Sequence, residues 1–526
     1  MSTQRLELTW IGKNNPEYDI ANIEPRILIE DPEKSHGDPM SENMLIHGDN
    51  LLALKALLPD YEGRVKCIYI DPPYNTGNTG WIYDDSVEHS LWLSLMRPRL
   101  ELLRALLSDD WVIFMNIDSV EVHYLKILSD EVFGRKNYIC DFVWQKKKGG
   151  WNDSKHVAVE HEYLLAYGKN KSFIENWFIE YDDKYLQRYK EEDSKGRFYW
   201  DTFKRASGKQ YYPIVCPDWT KLEFDENNER ISWLRSEPRF LDDLQKWEAR
   251  IIKVNWAWSV QFKQYKSEWM KPRSILTDIA TNSNAKDEML WIFWNSKAFD
   301  YPKPEALVKY FLQIHTNKDD IILDSFIGSW TTAAVAHKMG RRWIGIEMGD
   351  HAYTHCKVRL DKVVNGEDQW GISKSVDWKW GGGYKFYELA PSFITTDEFW
   401  NKIIDEYYND SKLVRAMCKL LNYTFKPSQT EYFKQGIGTG RNYLYVTTQT
   451  LSIGLVQQIA THLGADESLV VCPRKYEAGA ESVDPRITIK KIPQSVLKAC
   501  YYGKKEYLLP IRENTLEEVE VESEDA

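Results

Sequence analysis

Apolar positions along the chain fall into two runs of alternating strand and helix periodicity, separated by a stretch with neither. Val65 to Ile70 (VKCIYI) is a compact, β-branched segment that stops at Asp71-Pro72-Pro73-Tyr74. Paired prolines cannot continue a strand, so Asp71 marks its carboxyl end. Leu95, Leu102, Leu103 and Leu106 recur at helical spacing within Leu91 to Leu107, Val112 to Ile117 (VIFMNI) predicts a buried strand, and Ser119 to Phe133 a helix. From about Lys169 to Met270 aromatic and charged residues mix without a period, which predicts an inserted domain. Order then returns as a helix after Pro304 (EALVKYFLQIH), a strand Ile321 to Phe326, a helix from Thr331, a strand Trp343 to Met348 and a helix from Asp350. Two βαβα runs predict an α/β protein with a parallel sheet. Residues 1 to 40, with prolines at 16, 25, 32 and 39, read as an irregular arm. Beyond residue 391 a helical stretch, strands near 443–447, 469–471 and 487–489 and a helix near 454–462 predict a small α/β module.

Charge narrows the class. Lys plus Arg is 68 and Asp plus Glu is 79, a net −11, so the chain is not uniformly basic, although a local basic cleft is compatible with that balance. The acidic run Glu513 to Ala526, with seven carboxylates and no cation, is expected to be a solvated tail. No signal-peptide core and no apolar run of membrane-span length stands in the sequence, which predicts a soluble cytoplasmic protein with no membrane partner. Seven cysteines without a Cys-x-x-Cys pair predict reduced thiols, and no metal site is expected. His156, His161, His351 and His355 share no ligand spacing with cysteines and are expected to be ordinary helix or core residues. Gly436-Ile-Gly-Thr-Gly440 precedes a strand instead of following one, so it is expected to be a turn and not a phosphate loop.

Three strand ends carry candidate chemistry, because ligands of open α/β sheets bind beyond the carboxyl ends of the strands. Asp71-Pro72-Pro73-Tyr74 offers a carboxylate, rigidly presented carbonyls and a ring, a set suited to a planar group bearing an NH2; a proline-rich turn closing a strand is the alternative. Leu323-Asp324-Ser325-Phe326-Ile327-Gly328-Ser329-Trp330-Thr331-Thr332 runs from strand through a small-residue turn into a helix. Glu347, about 20 residues on, ends the next strand where a carboxylate can accept from ribose hydroxyls. Together they suit an adenosine-containing cofactor, with a nicotinamide enzyme or plain packing as competing readings of the turn alone.

The order IYIDPPYNTGN, LDSFIGSWTTAAVA and WIGIE, with FDYPKPEALV upstream of the second, resembles the amino-group DNA methyltransferases, specifically the modification subunits of type III restriction systems. The resemblance runs from about His47 to Leu389. It implies a permuted Rossmann-like methyltransferase sheet in two halves, 41–168 and 271–390, flanking a target-recognition domain at 169–270; the C-terminal module, read from periodicity alone, takes 391–512. It also implies S-adenosylmethionine as donor, N6 of adenine in double-stranded DNA as acceptor, a homodimer, and a restriction partner with helicase and nuclease activity. By position, Asp71, Pro72, Pro73 and Tyr74 would be catalytic. Asp324, Phe326, Gly328 and Glu347 would hold the cofactor, with Phe299, Pro302, Lys303 and Pro304 near its methionine end and Asp49 lining the cleft. Lys146, Lys147, Lys148, Lys204, Arg205 and Arg273 are candidates for DNA phosphates, each with a solvated face as its plain alternative. Cytosine N4 as acceptor, or a catalytically silent DNA-binding subunit, are the alternative readings.

One departure is systematic. The family's turn reads Gly-Ser-Gly-Thr-Thr, and this chain has Trp330 at the second glycine, where an indole is expected to obstruct a ligand's approach to backbone. Trp111, Trp151, Trp219, Trp294, Trp370 and Trp380 also stand where the resemblance leads to glycine, in a chain with 22 Trp and only 28 Gly. The pattern suggests UGA codons read as glycine in the source lineage and as tryptophan in the written translation.

Overall fold

The structure, a computed structural model, describes residues 7–24, 26–75, 88–149, 156–179, 183–267, 269–295, 299, 301–391, 394–396, 402–404, 410–428 and 430–492. Trp151, Gly150, Thr76 to Asn78 of the first motif, Asp300, the end of the C-terminal module and the acidic tail lie outside them. The chain divides into two compact units, one made of residues 1–176 and 273–526 and the other of Trp177–Pro272.

The larger unit is built on a ten-stranded sheet. Its strands are β1 (Leu28–Gly37), β2 (Met44–His47), β3 (Val65–Ile70), β4 (Leu107–Ile117), β5 (Tyr138–Gln145), β6 (His161–Gly168), β7 (Ile275–Leu276), β8 (Ile321–Asp324), β9 (Arg342–Glu347) and β10 (Gly383–Leu389). They lie in the order β1-β10-β2-β9-β8-β3-β4-β6-β5-β7. The run from β10 to β4 is parallel, and β6 turns antiparallel against both β4 and β5. The sheet is therefore mixed, where sequence periodicity predicted a parallel one. Strands β8 and β3, some 250 residues apart in the chain, are neighbours in register, with Ile322 opposite Cys67 and Leu323 opposite Ile68. This is the permuted Rossmann-like order.

Helices cover both faces because the central strands are apolar on both sides. Helices α1 (Asn50–Tyr61), α2 (His89–Leu106) and α3 (Val122–Ser129) close one face over Ile68, Ile70, Ile113 and Met115. After α4 (Asn282–Phe293), helix α5 (Glu305–His315) closes the other face, where Phe311 meets Phe114 at 4.9 Å and Phe142 at 5.0 Å between ring centroids. Helices α6 (Thr331–Lys338) and α7 (Lys357–Asn365) follow β8 and β9.

The arm is not wholly irregular: β1 pairs antiparallel with β10 at the sheet edge. Pro32 is tolerated there because an edge strand has one unpaired side, and the register slips between Asp31 and His36. In the C-terminal module, strands Asn442–Leu451, Ser468–Tyr476 and Ile487–Ile489 run parallel in a five-stranded sheet, and the Gly436 to Gly440 segment forms a strand end and turn before the first of them. The smaller unit holds a four-stranded antiparallel sheet around Gly196–Thr202, Ala249–Val254 and Ala257–Tyr265, with a core centred on Phe203, Trp233, Phe240 and Phe262. Among the described residues no helix is long and apolar enough to cross a membrane.

Candidate active site

The parallel register of β3, β8 and β9 brings their carboxyl ends to one edge of the sheet, so Asp71, Asp324 and Glu347 stand at adjacent strand termini. Asp71 Oδ2 accepts from Lys303 Nζ at 2.8 Å, and its Oδ1 is buried without a hydrogen-bond partner among the described residues. The Pro73 carbonyl accepts from the Trp92 indole of α2 at 2.9 Å, which anchors the tetrapeptide to the first helical layer. Tyr74 donates its hydroxyl to Glu162 Oε2 at 3.0 Å, and Lys303 Nζ lies 4.9 Å from its ring centroid. Burial, then the Asp71 and Glu162 charges, hold the Tyr74 hydroxyl far above its ordinary pKa, so the ring stays neutral. Asn75 leaves the tetrapeptide in the left-handed region (φ 57°) and donates to Glu121 Oε1 at 2.7 Å.

Lys303 is expected from the resemblance near a cofactor. In the structure its backbone carbonyl accepts from Thr331 Oγ1 at 2.9 Å while its ammonium, in a side chain only 7% exposed, reaches Asp71. The ammonium thus belongs to the carboxylate end of the pocket. Pro302 and Pro304 flank it, both buried. Burial would depress the Lys303 pKa, yet Asp71 and then Glu162 raise it above the usual lysine value.

Around the second turn, Phe326 donates its amide to Asp324 Oδ1 at 2.9 Å, and burial pushes the Asp324 carboxyl up to about 7. Glu347, almost fully buried, accepts from Gly328 N at 3.2 Å and from Gly349 N at 3.1 Å. Gly328 has φ 45°, and a Cβ there would come within 3.2 Å of the Phe299 ring, so a larger residue would be both strained and crowded. Asp49 caps α1 by accepting from Leu52 N at 3.1 Å and pairs with Arg99 at 3.3 Å. Its neighbour Asn50 donates to the Ser325 carbonyl at 2.7 Å, tying α1 to the turn.

Trp330 does not obstruct the turn. Its side chain is fully buried, edge-on to Trp343 and close to Gly345, so the ring points into the core. The departure shows instead in the backbone, where Trp330 has φ 61°. Trp219, Trp247, Trp256 and Trp294 also have positive φ, while every other such non-glycine residue among those described is Asn or Asp. Trp247 and Trp256 were not among the positions the resemblance singled out. Conversely, Trp111, Trp370 and Trp380 have ordinary φ.

Of the basic candidates, Lys146 is committed to carboxylates, 3.2 Å from Asp118 and 3.3 Å from Glu162. Lys204 pairs with Asp225 at 3.3 Å, and Lys148, Arg205 and Arg273 are exposed, with Lys147 half-buried. Sequence reasoning missed Glu162, which no motif marks. It also missed a buried ionic cluster under the turn, where Glu305 accepts from Lys338 and Arg359, and Arg359 also donates to the Ser329 carbonyl at 2.8 Å.

Comparison with known proteins places these residues in a family. The DNA methylase family profile matches residues 65–357. The chain is 33% identical over 420 residues to a probable type III restriction-modification enzyme Mod subunit, HindVI, of Haemophilus influenzae, covering 68% of this chain and 55% of that protein. It is 30% identical over 402 residues to the EcoPI Mod subunit of Escherichia phage P1, covering 64% and 62%. The chain thus spans little more than half the length of these relatives. A solved PvuII DNA methyltransferase, cytosine-N4-specific, aligns with 65% of this chain and 95% of its own at 14% identity and a TM-score of 0.34.

Proposed function

Because the chain belongs to the DNA methylase family, we propose that it transfers a methyl group from S-adenosylmethionine to N6 of adenine in double-stranded DNA, as the modification subunit of a type III restriction system. The observation that carries this reading is the meeting of Asp71 and Tyr74 with the Gly328 turn and Glu347 at adjacent strand ends. The residues fit the donor. Glu347 is a buried carboxylate suited to ribose hydroxyls, Gly328 leaves the turn open, and Phe299 and Pro302 supply apolar wall.

The sulfonium supplies an electrophilic methyl group; the protein must make an amide-like nitrogen nucleophilic. The adenine amino group is a poor nucleophile because its lone pair is delocalised into the ring. Asp71 and the Pro72 carbonyl accept from its two N–H bonds, which favours a pyramidal nitrogen and directs the lone pair outward. The neutral Tyr74 ring stacks on the base, offsetting the few kcal/mol that extrusion from the duplex costs. Positioning by Asp71 and Tyr74 accounts for much of the acceleration. The unit Trp177–Pro272 is the proposed target reader, where exposed Arg205 and Lys204 can meet phosphates. A homodimer and a restriction subunit are the proposed assembly partners.

The test incubates tritiated S-adenosylmethionine and unmethylated plasmid DNA with the chain and with its Trp330→Gly variant, then digests to nucleosides. N6-methyladenine is the expected product. N4-methylcytosine would replace the acceptor, and no incorporation by either protein would overturn the reading.

A further inference from the structure

Glu162 is the second residue of β6, opposite Trp144 of β5, on a strand whose continuation Leu164-Leu165-Ala166-Tyr167 is buried and apolar. Its side chain is 5% exposed. Burying a carboxylate costs several kcal/mol unless it is well paired, so packing alone gives no reason for one here.

Its partners supply one. Glu162 Oε2 accepts from the Tyr74 hydroxyl at 3.0 Å and lies 3.6 Å from Lys303 Nζ, while Oε1 lies 3.3 Å from Lys146 Nζ. Lys303 Nζ donates to Asp71 Oδ2 at 2.8 Å. One carboxylate therefore reaches both ends of the tetrapeptide, Tyr74 directly and Asp71 through a lysine. With Oδ2 held by Lys303, the other oxygen, Oδ1, is buried and without a partner among the described residues.

We propose that Glu162 is a positioning residue for amino-group methylation: it sets the Tyr74 ring through its hydroxyl and, through Lys303, the rotation of the Asp71 carboxylate that leaves Oδ1 for the incoming N–H. The proposal rests on the methyltransferase reading above. It assigns Lys303 to the acceptor side of the reaction. A misplacement of about 1 Å in such a pocket costs on the order of a hundredfold in rate.

The experiment measures initial rates of tritium transfer to plasmid DNA against S-adenosylmethionine concentration, in whichever parent protein methylates, with cofactor affinity read separately by calorimetry. Glu162→Gln keeps the size and can still accept from Tyr74, but it lacks the charge that holds Lys303. It is expected to lower kcat at least tenfold with KM and Kd for S-adenosylmethionine within threefold of the parent. Tyr74→Phe should lose only a few-fold, because it keeps the ring and gives up only the hydroxyl's tie to Glu162. Should Glu162→Gln fail to fold, Glu162→Asp, which keeps the charge but draws it back, should lower kcat at least threefold with the same unchanged cofactor Kd. An unchanged kcat or a proportional loss of cofactor binding would each overturn the proposal. Absence of methyl transfer by both parents would count against the function and not against this assignment.

Discussion

The left-handed tryptophans are the least expected residues of the chain. An L-residue in that region sets Cβ against the carbonyl at a cost of about 1–2 kcal/mol, and only glycine, with Asn and Asp behind it, goes there routinely. Trp256 is the clearest case. It follows Asn255 in a two-residue loop closed by Val254 opposite Ala257, both loop residues have positive φ, and its side chain is 97% exposed. That geometry demands Asn-Gly. Trp256→Gly is therefore expected to stabilise the protein by about 1 kcal/mol, seen as a higher thermal midpoint; a lower midpoint would contradict it. Trp330→Gly carries a different sign, because removal of a buried indole leaves a cavity worth about 3–5 kcal/mol, more than the strain it relieves. If glycine is the natural residue at these sites, the coding DNA carries UGA at 219, 247, 256, 294 and 330, and UGG at 330 would end the idea. The sequence displayed Trp330 because a motif surrounds it. Trp256 was legible only as a hairpin signal, Asn-Trp between two strand-like runs, which requires suspecting the Trp first.

At the scale of elements, the strand ends were readable because a buried run such as VKCIYI and the prolines after it are both local signals. What a strand end meets is not local. The approach of Lys303 to Asp71 spans 232 residues, and nothing near Lys303 announces it. The sequence does not mark β1 for a related reason: only its first residue, Leu28, is buried, and the edge strand is held by pairing with β10 more than by a hydrophobic face. The end of β8 gives a pH test. Burial raises the Asp324 carboxyl from 3.8 to about 7, so the folded state holds a proton that the unfolded chain releases. The resulting stability is present below pH 3.8 and is lost as pH rises through about 7, with an upper bound of about 4 kcal/mol at 1.36 kcal/mol per unit. Asp324→Asn removes this dependence. Its thermal midpoint should gain on the parent's between pH 5 and pH 8, and parallel midpoints across that range would show that Asp324 is already ionised.

The whole molecule is organised by an insertion. Periodicity fades at Lys169, yet the compact unit begins only at Trp177, because Lys171 still donates its amide to Asn137 of the larger unit. Where the smaller unit starts and finishes, Ile179 and Met270 exchange backbone hydrogen bonds of 2.8 and 3.1 Å. The two ends of the insertion are therefore neighbours, the condition under which a domain can be removed without pulling its host apart. Asp71, Glu162, Lys303, Asp324, Gly328 and Glu347 all belong to the larger unit, so on the proposed function the donor site and the acceptor pocket do not need the smaller one. Replacing residues 178–271 with a short glycine-serine linker is expected to leave S-adenosylmethionine affinity within about threefold, read by calorimetry, while methylation of plasmid DNA is lost. Loss of cofactor binding on the same deletion, in a protein that still melts cooperatively, would show that the donor site depends on the inserted unit.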